Sequence, residues 1–222
     1  MQDPDIRTLV RTWMSGWTVS RGSAEPVDQP WGWSIDVGAP TEVGRHVLPE
    51  PTEAEVRKLV ENTTAPTTWL KVFAEDAVVR PWLDERWRLD VPGYLMTVPL
   101  APERPVAPAG YTVTSWERGG VLRTLVRTED GHLAARGQAG LAGPAAVADQ
   151  IVTAPEHRRR GLGALVMRTL QSAAHERGAR TGVLVGTPDG QALYAALGWT
   201  THAEMTSTVL DPTGPRANTP QP

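Results

Sequence analysis

Residues 153–168, TAPEHRRRGLGALVMR, set Arg158, Arg159 and Arg160 against Gly161 and Gly163, then run into an apolar, helix-forming stretch. A helix that begins there leaves its first-turn N–H groups without helical partners, and its dipole adds partial positive charge. Glycines let a ligand approach that backbone closely, and arginines add full charge. The chemistry this suits is binding of a di- or polyphosphate. A solvated basic turn is the competing reading for each arginine. The Walker pattern for nucleotide phosphates is absent, and the dinucleotide pattern G-x-G-x-x-G fails because Val166 stands at its third glycine.

The elements that must position this loop can be read on either side of it. AAVADQIVT (145–153) reads as a strand that pairs across Gly143-Pro144 with a strand in HLAARGQAGLAG. A helix is expected from Gly161 to about Arg177, with Leu162, Leu165, Val166, Leu170, Ala173 and Ala174 as its buried stripe and Gly178 beyond its end. TGVLVG (181–186) reads as a strand buried on both faces. TPDGQALYAALGW offers Thr187 as N-cap, Pro188 at the first helical position and Gly198 past the end of a short helix. A strand at 111–116, a helix near 119–128 and a last strand near 199–210 complete this half.

Toward the N-terminus, DIRTLVRTWMSGW (5–17) has helical periodicity, WGWSIDVG (31–38) reads as a strand, and Thr52 with Glu55 forms a capping box. Strands are expected at 68–74 and 94–100, and DAVVRPWLDE reads as a short helix interrupted by Pro81. The segment APERPVAPAG (101–110), with three prolines, is taken as the linker. The expected division is 1–108, an N-terminal α/β region; 109–211, the catalytic domain; and 212–222, a disordered tail.

The chain has 222 residues, a formal charge of −3 and no cysteine, which excludes disulfides, thiolate metal sites and a thiol nucleophile. The charge argues against general nucleic-acid affinity. Residues 1–108 carry 11 basic and 16 acidic side chains, whereas 109–222 carry 11 and 9. An acidic first half mildly favours a cationic substrate. No apolar run is long enough for a membrane span and no secretory signal is read, so a cytoplasmic address is expected. No H-E-x-x-H or comparable spacing points to a metal, and none is expected. Seven of the nine tryptophans precede residue 108 and serve first as core fillers. Trp31, Trp33 and Trp116 are candidates to line an acceptor pocket.

VTAPEHRRRGLGALVM resembles motif A of the GNAT acyltransferase superfamily, [QR]-x-x-G-x-[GA], filled here by Arg158, Gly161 and Gly163. ALYAALGW (192–199), about 30 residues on, is similar to a second signature of that family, with Tyr194 before Leu197, Gly198 and Trp199. The resemblance covers residues 111–210. It implies an α/β (α+β) GNAT fold, a mixed central sheet flanked by helices, with two splayed strands holding acyl-CoA. Residues 1–108 read either as a degenerate second lobe of the same kind or as an unrelated α/β region.

By this resemblance, pantetheine would bond the backbone of Ile151, Val152 and Thr153. The pyrophosphate would sit on the N–H groups from Arg159 to Ala164, so Arg158, Arg159, Arg160, Gly161, Leu162, Gly163 and Ala164 are the expected acyl-CoA contacts. An amine attacks the thioester of acetyl-CoA, a strand N–H near Val152 holds the oxyanion, and Tyr194 protonates the leaving thiolate. The base is left between Asp149, expected on one face with Ile151, and Glu117, with His157 and His132 as weaker candidates. The implied partners are acyl-CoA and an amine acceptor, with no nucleic acid or membrane; a homodimer and a two-lobed monomer both stay open. A sensor that binds acyl-CoA without turnover, or an enzyme that uses another acyl-CoA, is the alternative function.

Overall fold

A computed structural model describes residues 5–211; the tail expected at 212–222 lies outside the described residues. The chain folds as two compact units, and neither is a contiguous half. One joins the chain up to Gly22 to Leu95–His202; the other joins Ser23–Tyr94 to the chain from Ala203 on. The proline-rich segment at 101–110 is therefore not where the units divide. The expected cut after residue 108 would separate the first helix and the strand near 95 from the unit in which they pack.

In the first unit, α1 (Ile6–Arg21) starts at Asp5, whose carboxylate accepts the Thr8 N–H at 3.0 Å, and ends at Gly22 in the left-handed conformation. β6 (Gly93–Pro99) enters the unit at Leu95. Then follow β7 (Tyr111–Arg118), β8 (Val121–Thr128), β9 (Leu133–Ala142), β10 (Ala145–Thr153), α4 (Leu162–Glu176), β11 (Thr181–Gly186) and α5 (Pro188–Ala196). The sheet order is β6-β11-β10-β9-β8-β7. β7 to β10 form antiparallel pairs in sequence, and β10 pairs β11 in parallel.

The helix expected near 119–128 is strand β8. Arg118 pairs Val121, so Gly119-Gly120 is a two-residue hairpin loop, with φ of +60° and +74°. Positive φ at both positions matches the twist of antiparallel strands and suits glycine. The alternating burial of Val121–Thr128 agrees with that pairing.

α1 and α4 cover opposite faces of the sheet. A Cβ on Gly16 of α1 would meet the Val147 side chain, and one on Gly140 would lie 2.0 Å from the Gly16 carbonyl oxygen. Two glycines thus bring helix and strand backbones into direct contact. On the other face, a Cβ on Gly137 would strike Ile151, Val166 and Leu170.

The second unit contains β1 (Val27–Gln29), β2 (Gly32–Ala39), β3 (Glu42–Leu48), α2 (Glu53–Asn62), β4 (Thr68–Val72), α3 (Asp76–Val79), β5 (Trp87–Leu89) and most of β12 (Thr200–Leu210). Its sheet order is β1-β2-β3-β4-β12, with β5 also on β12. β3 went unread in the sequence. α3 stops before Pro81, which is taken up in a 3-10 turn at Arg80–Trp82. Leu48, Val56, Val60, Leu70, Val72, Val79, Trp87 and Leu210 form the core. Among the described residues no helix is long and apolar enough to cross a membrane.

Candidate active site

The site is built where β10 and β11 part. Their parallel pairing runs only from Ala145–Thr181 to Val147–Val183. β10 continues to Thr153 and β11 to Gly186, so backbone groups beyond Val147 are released from that ladder. A bulge bends β10 at this point: its register with β9 slips between Asp149 and Val152, and Gln150 has φ of +54°.

The loop that follows carries two left-handed residues, Arg159 at φ +61° and Gly161 at +76°. Alternating backbone hands turn successive N–H groups toward one concavity, an arrangement suited to anions. Gly161 is the N-cap of α4, with no side-chain cap. The first bond back to it comes from Leu165 N–H, at 3.0 Å. The N–H groups of Leu162, Gly163 and Ala164 precede that bond and have no helical acceptor.

A groove of about 950 Å³ opens there, lined by Ile151, Val152, Thr153, Arg158, Arg159, Gly161, Leu162, Gly163 and Ala164. Those are nine of the ten positions expected to meet acyl-CoA. Arg160 is the exception: its Nη1 donates to the Tyr111 hydroxyl at 3.1 Å, and that hydroxyl bonds His157 Nδ1 at 3.0 Å. His157 and Arg160 thus tie the loop to β7.

The opposite wall comes from α5: Thr187, Pro188, Asp189, Gly190, Ala192, Leu193 and Tyr194. Of these only Tyr194 is expected at the site from the sequence, which gives the cap of α5 but not the rest of this wall. The signal was the parallel strand–helix–strand–helix order, which brings both helix N-termini to the carboxyl ends of the paired strands. The helices approach closely at Gly163, where a Cβ would lie 3.1 Å from Leu193 Cδ2.

Tyr194 is buried, and its ring fills the space left by two glycines: a Cβ on Gly186 or Gly190 would come within 2.8 or 2.9 Å of it. Burial first, and then the Asp149 charge, push its phenol up to about 12. A phenol so placed is a proton donor across the neutral range.

Asp149 lies beside this group but does not share a face with Ile151, as strict alternation predicts. The bulge changes the phase of the strand. Asp149 faces α1, where its carboxylate accepts Ser20 Oγ at 2.8 Å, Arg21 Nε at 2.5 Å and Arg21 Nη2 at 2.9 Å. Ile151 faces α4, beneath Gly137. Gln138, the register partner of Asp149, holds the carbonyl and hydroxyl of Ser20, each at 2.8 Å.

The structure does not bring Glu117 to the groove. It pairs with Arg177 at 2.8 Å, beyond the C-terminal end of α4, whereas the groove lies at the N-terminal end. That separation is roughly the 20 Å length of a fifteen-residue helix. His132 pairs with Asp130 at 2.9 Å in an exposed turn. The three candidate tryptophans do not line the groove. Trp33 is buried and donates to Asp28, Trp31 packs edge-on to His46, and Trp116 stands 41% exposed on β7. No cluster of three or more acidic or histidine side chains suited to a metal occurs among the described residues.

The profile of the acetyltransferase (GNAT) domain matches residues 121–201. No curated protein matches the sequence. Among solved structures, a GCN5-related N-acetyltransferase from Kribbella flavida is similar over 96% of this chain and 98% of its own, at 20% identity and a TM-score of 0.66. A GCN5-related N-acetyltransferase-like protein from Streptococcus suis covers 92% and 98%, at 12% identity and 0.62. A tandem GNAT protein from the clavulanic acid biosynthesis pathway covers 74% and 69%, at 16% identity and 0.51. These likenesses concern the fold. With the splayed strand pair, the glycine loop and the matched profile, residues 121–201 form a domain of the GNAT acetyltransferase superfamily.

Proposed function

We propose that this protein is an acyl-CoA-dependent N-acyltransferase that moves an acetyl group from acetyl-CoA to a primary amine. One observation carries the reading: the uncapped N-terminus of α4, with left-handed residues at Arg159 and Gly161, opens onto the groove where β10 and β11 separate. Its free N–H groups, with Arg158 and Arg159, suit a pyrophosphate; the released edge of β10 at Ile151–Thr153 suits the amides of pantetheine.

In the proposed reaction the amine nitrogen attacks the thioester carbonyl, a β10 N–H near Val152 holds the oxyanion, and the C–S bond breaks as the amide C–N bond forms. Tyr194 gives its proton to the departing sulfur, and the proton shed by the new amide nitrogen restores the phenol. Asp149 has both oxygens engaged by Ser20 and Arg21. Its part is electrostatic: a fixed negative charge beside Tyr194 that opposes tyrosinate and favours a cationic acceptor.

The second unit supports a degenerate-lobe reading. β3, α2 and β4 repeat the order strand–helix–parallel strand, but the pairing is unbroken from Gly44–Thr68 to Leu48–Val72. The helix end is also closed. Thr52 and Glu55 cap each other, and Glu53 and Glu55 place negative charge in the first turn. No strand separation and no free N–H cluster are left there for an anionic ligand.

A thermal titration with acetyl-CoA, with ATP and NADH as controls, tests the reading. Ligand at about 100 times its Kd adds about 2.7 kcal/mol, enough to raise Tm by several degrees. A shift selective for acetyl-CoA, followed by amine-dependent thiol release, is expected. A shift without release for any amine would support the sensor instead, and a larger shift with longer acyl-CoA would move the donor assignment.

A further inference from the structure

With β8 a strand rather than a helix, no helix follows β7, and the α1-side face of β7–β10 is only partly covered. α1 lies over the Gly140–Val147 row and its C-terminus reaches Ser20 and Arg21 beside Asp149. The rest of the face is laid out by the registers. One row runs Trp116, Arg123, Gln138, Asp149; the next runs Thr114, Leu125, Arg136, Val152; a third begins Thr112, Arg127 and ends at Leu133. Each four-strand row spans roughly 14 Å. The first two rows end at Asp149 and Val152, on the strand that forms one wall of the groove.

The face is cationic and apolar together. Arg118, Arg123, Arg127 and Arg136 all project from it, and Arg118 and Arg136 are exposed. Among the described residues the first three make no side-chain hydrogen bond or ion pair, and Arg136 reaches only the amide oxygen of Gln150 at 3.1 Å. The one carboxylate on these rows, Asp149, is held by Arg21. Glu129 and Asp130 lie in the turn beyond Arg127. Between the arginines stand Trp116, Leu133 and Val152, exposed by 41%, 47% and 48%.

We propose that this face docks an acidic polypeptide segment and leads its amine to the groove. Four arginine forks on one surface match carboxylates, and the apolar side chains between them match an interleaved apolar chain. The extent of the rows suits a polymer more than a small molecule. The apolar residues favour a polypeptide over a single-stranded nucleic acid: Leu133 and Val152 are aliphatic and only Trp116 offers a ring, whereas base-stacking platforms use successive aromatics. The acceptor role rests on the acyl-transfer reading above; the docking does not.

The test is a binding titration of the full chain with a fluorescein-labelled peptide of alternating Glu and Leu that carries one lysine. Wild-type protein is expected to bind it in a salt-sensitive way, and Arg123→Glu/Arg127→Glu to weaken binding at least about tenfold. Arg104→Glu, in the proline-rich segment, is expected to leave it unchanged. Acetyl-CoA binding and Tm of the double variant should match wild type, which separates loss of docking from loss of the groove or the fold. No binding by wild type, or a change within about twofold on charge reversal, overturns the proposal. So does tighter binding of an oligonucleotide of equal charge. Docking retained without acetylation of the lysine upholds the surface and overturns its acceptor role.

Discussion

Tyr194 carries its proton because burial and the neighbouring Asp149 charge make tyrosinate unfavourable. Tyr194→Phe should lower kcat by roughly 10²–10³-fold while acetyl-CoA affinity stays near wild type, since only the proton is lost. The same shift has a stability consequence. The folded chain holds this proton more tightly than the unfolded chain, so the contribution is fully present below pH 10 and is lost as pH rises toward 12. Two pH units correspond to about 3 kcal/mol. Denaturant midpoints should therefore fall more steeply over that window in wild type than in Tyr194→Phe. At this scale Tyr194 could be singled out in the sequence because its motif surrounds it. The two carboxylates could not be ranked, because their partners Arg21 and Arg177 lie 128 and 60 residues away in the chain.

At the scale of elements, the loop–helix junction is the most legible part of the molecule. Gly161 takes a backbone hand that other residues adopt at a cost, and Gly163 leaves the gap against Leu193. Gly163→Val should fill that gap and weaken acetyl-CoA binding by at least about tenfold, read by thermal shift or calorimetry, with native circular dichroism retained. The helix assigned to 119–128 failed for a local reason. Val121–Thr128 has apolar residues compatible with either period, and the Gly119-Gly120 hairpin signal decides in favour of a strand only once β7 and β9 lie alongside. The bulge at Gln150 was equally hidden: one extra residue in β10 reverses the expected faces of Asp149 and Ile151, and nothing in AAVADQIVT marks it.

At the scale of the molecule, the first unit is assembled from both ends of a long insertion. α1 packs on the same sheet as β9 and β10 through the Gly16–Gly140 contact, although more than a hundred residues separate them. A fragment of residues 109–211 lacks α1 and β6 and exposes the face around Val147. It is expected to show no cooperative thermal transition by circular dichroism, whereas the full chain melts as a folded protein. A sharp melt of that fragment would show that α1 is dispensable for the fold.

The sequence by itself determined the arginine-glycine loop, the helices on either side of it, the Tyr194 motif and the resemblance to the superfamily. Each rests on residues close in the chain: glycines and prolines set local backbone geometry, and apolar periodicity sets the buried face of a helix. Only the tertiary structure decided the clamp on Asp149, the distance of Glu117 from the groove, the wall supplied by α5, the arginine rows and the two discontinuous units. Those depend on register, on a bulge and on which distant segments share a sheet. Such pairings are set by packing across the whole fold, where the cost of closing a long loop grows slowly enough for a helix at residue 6 to complete a sheet that begins near residue 95.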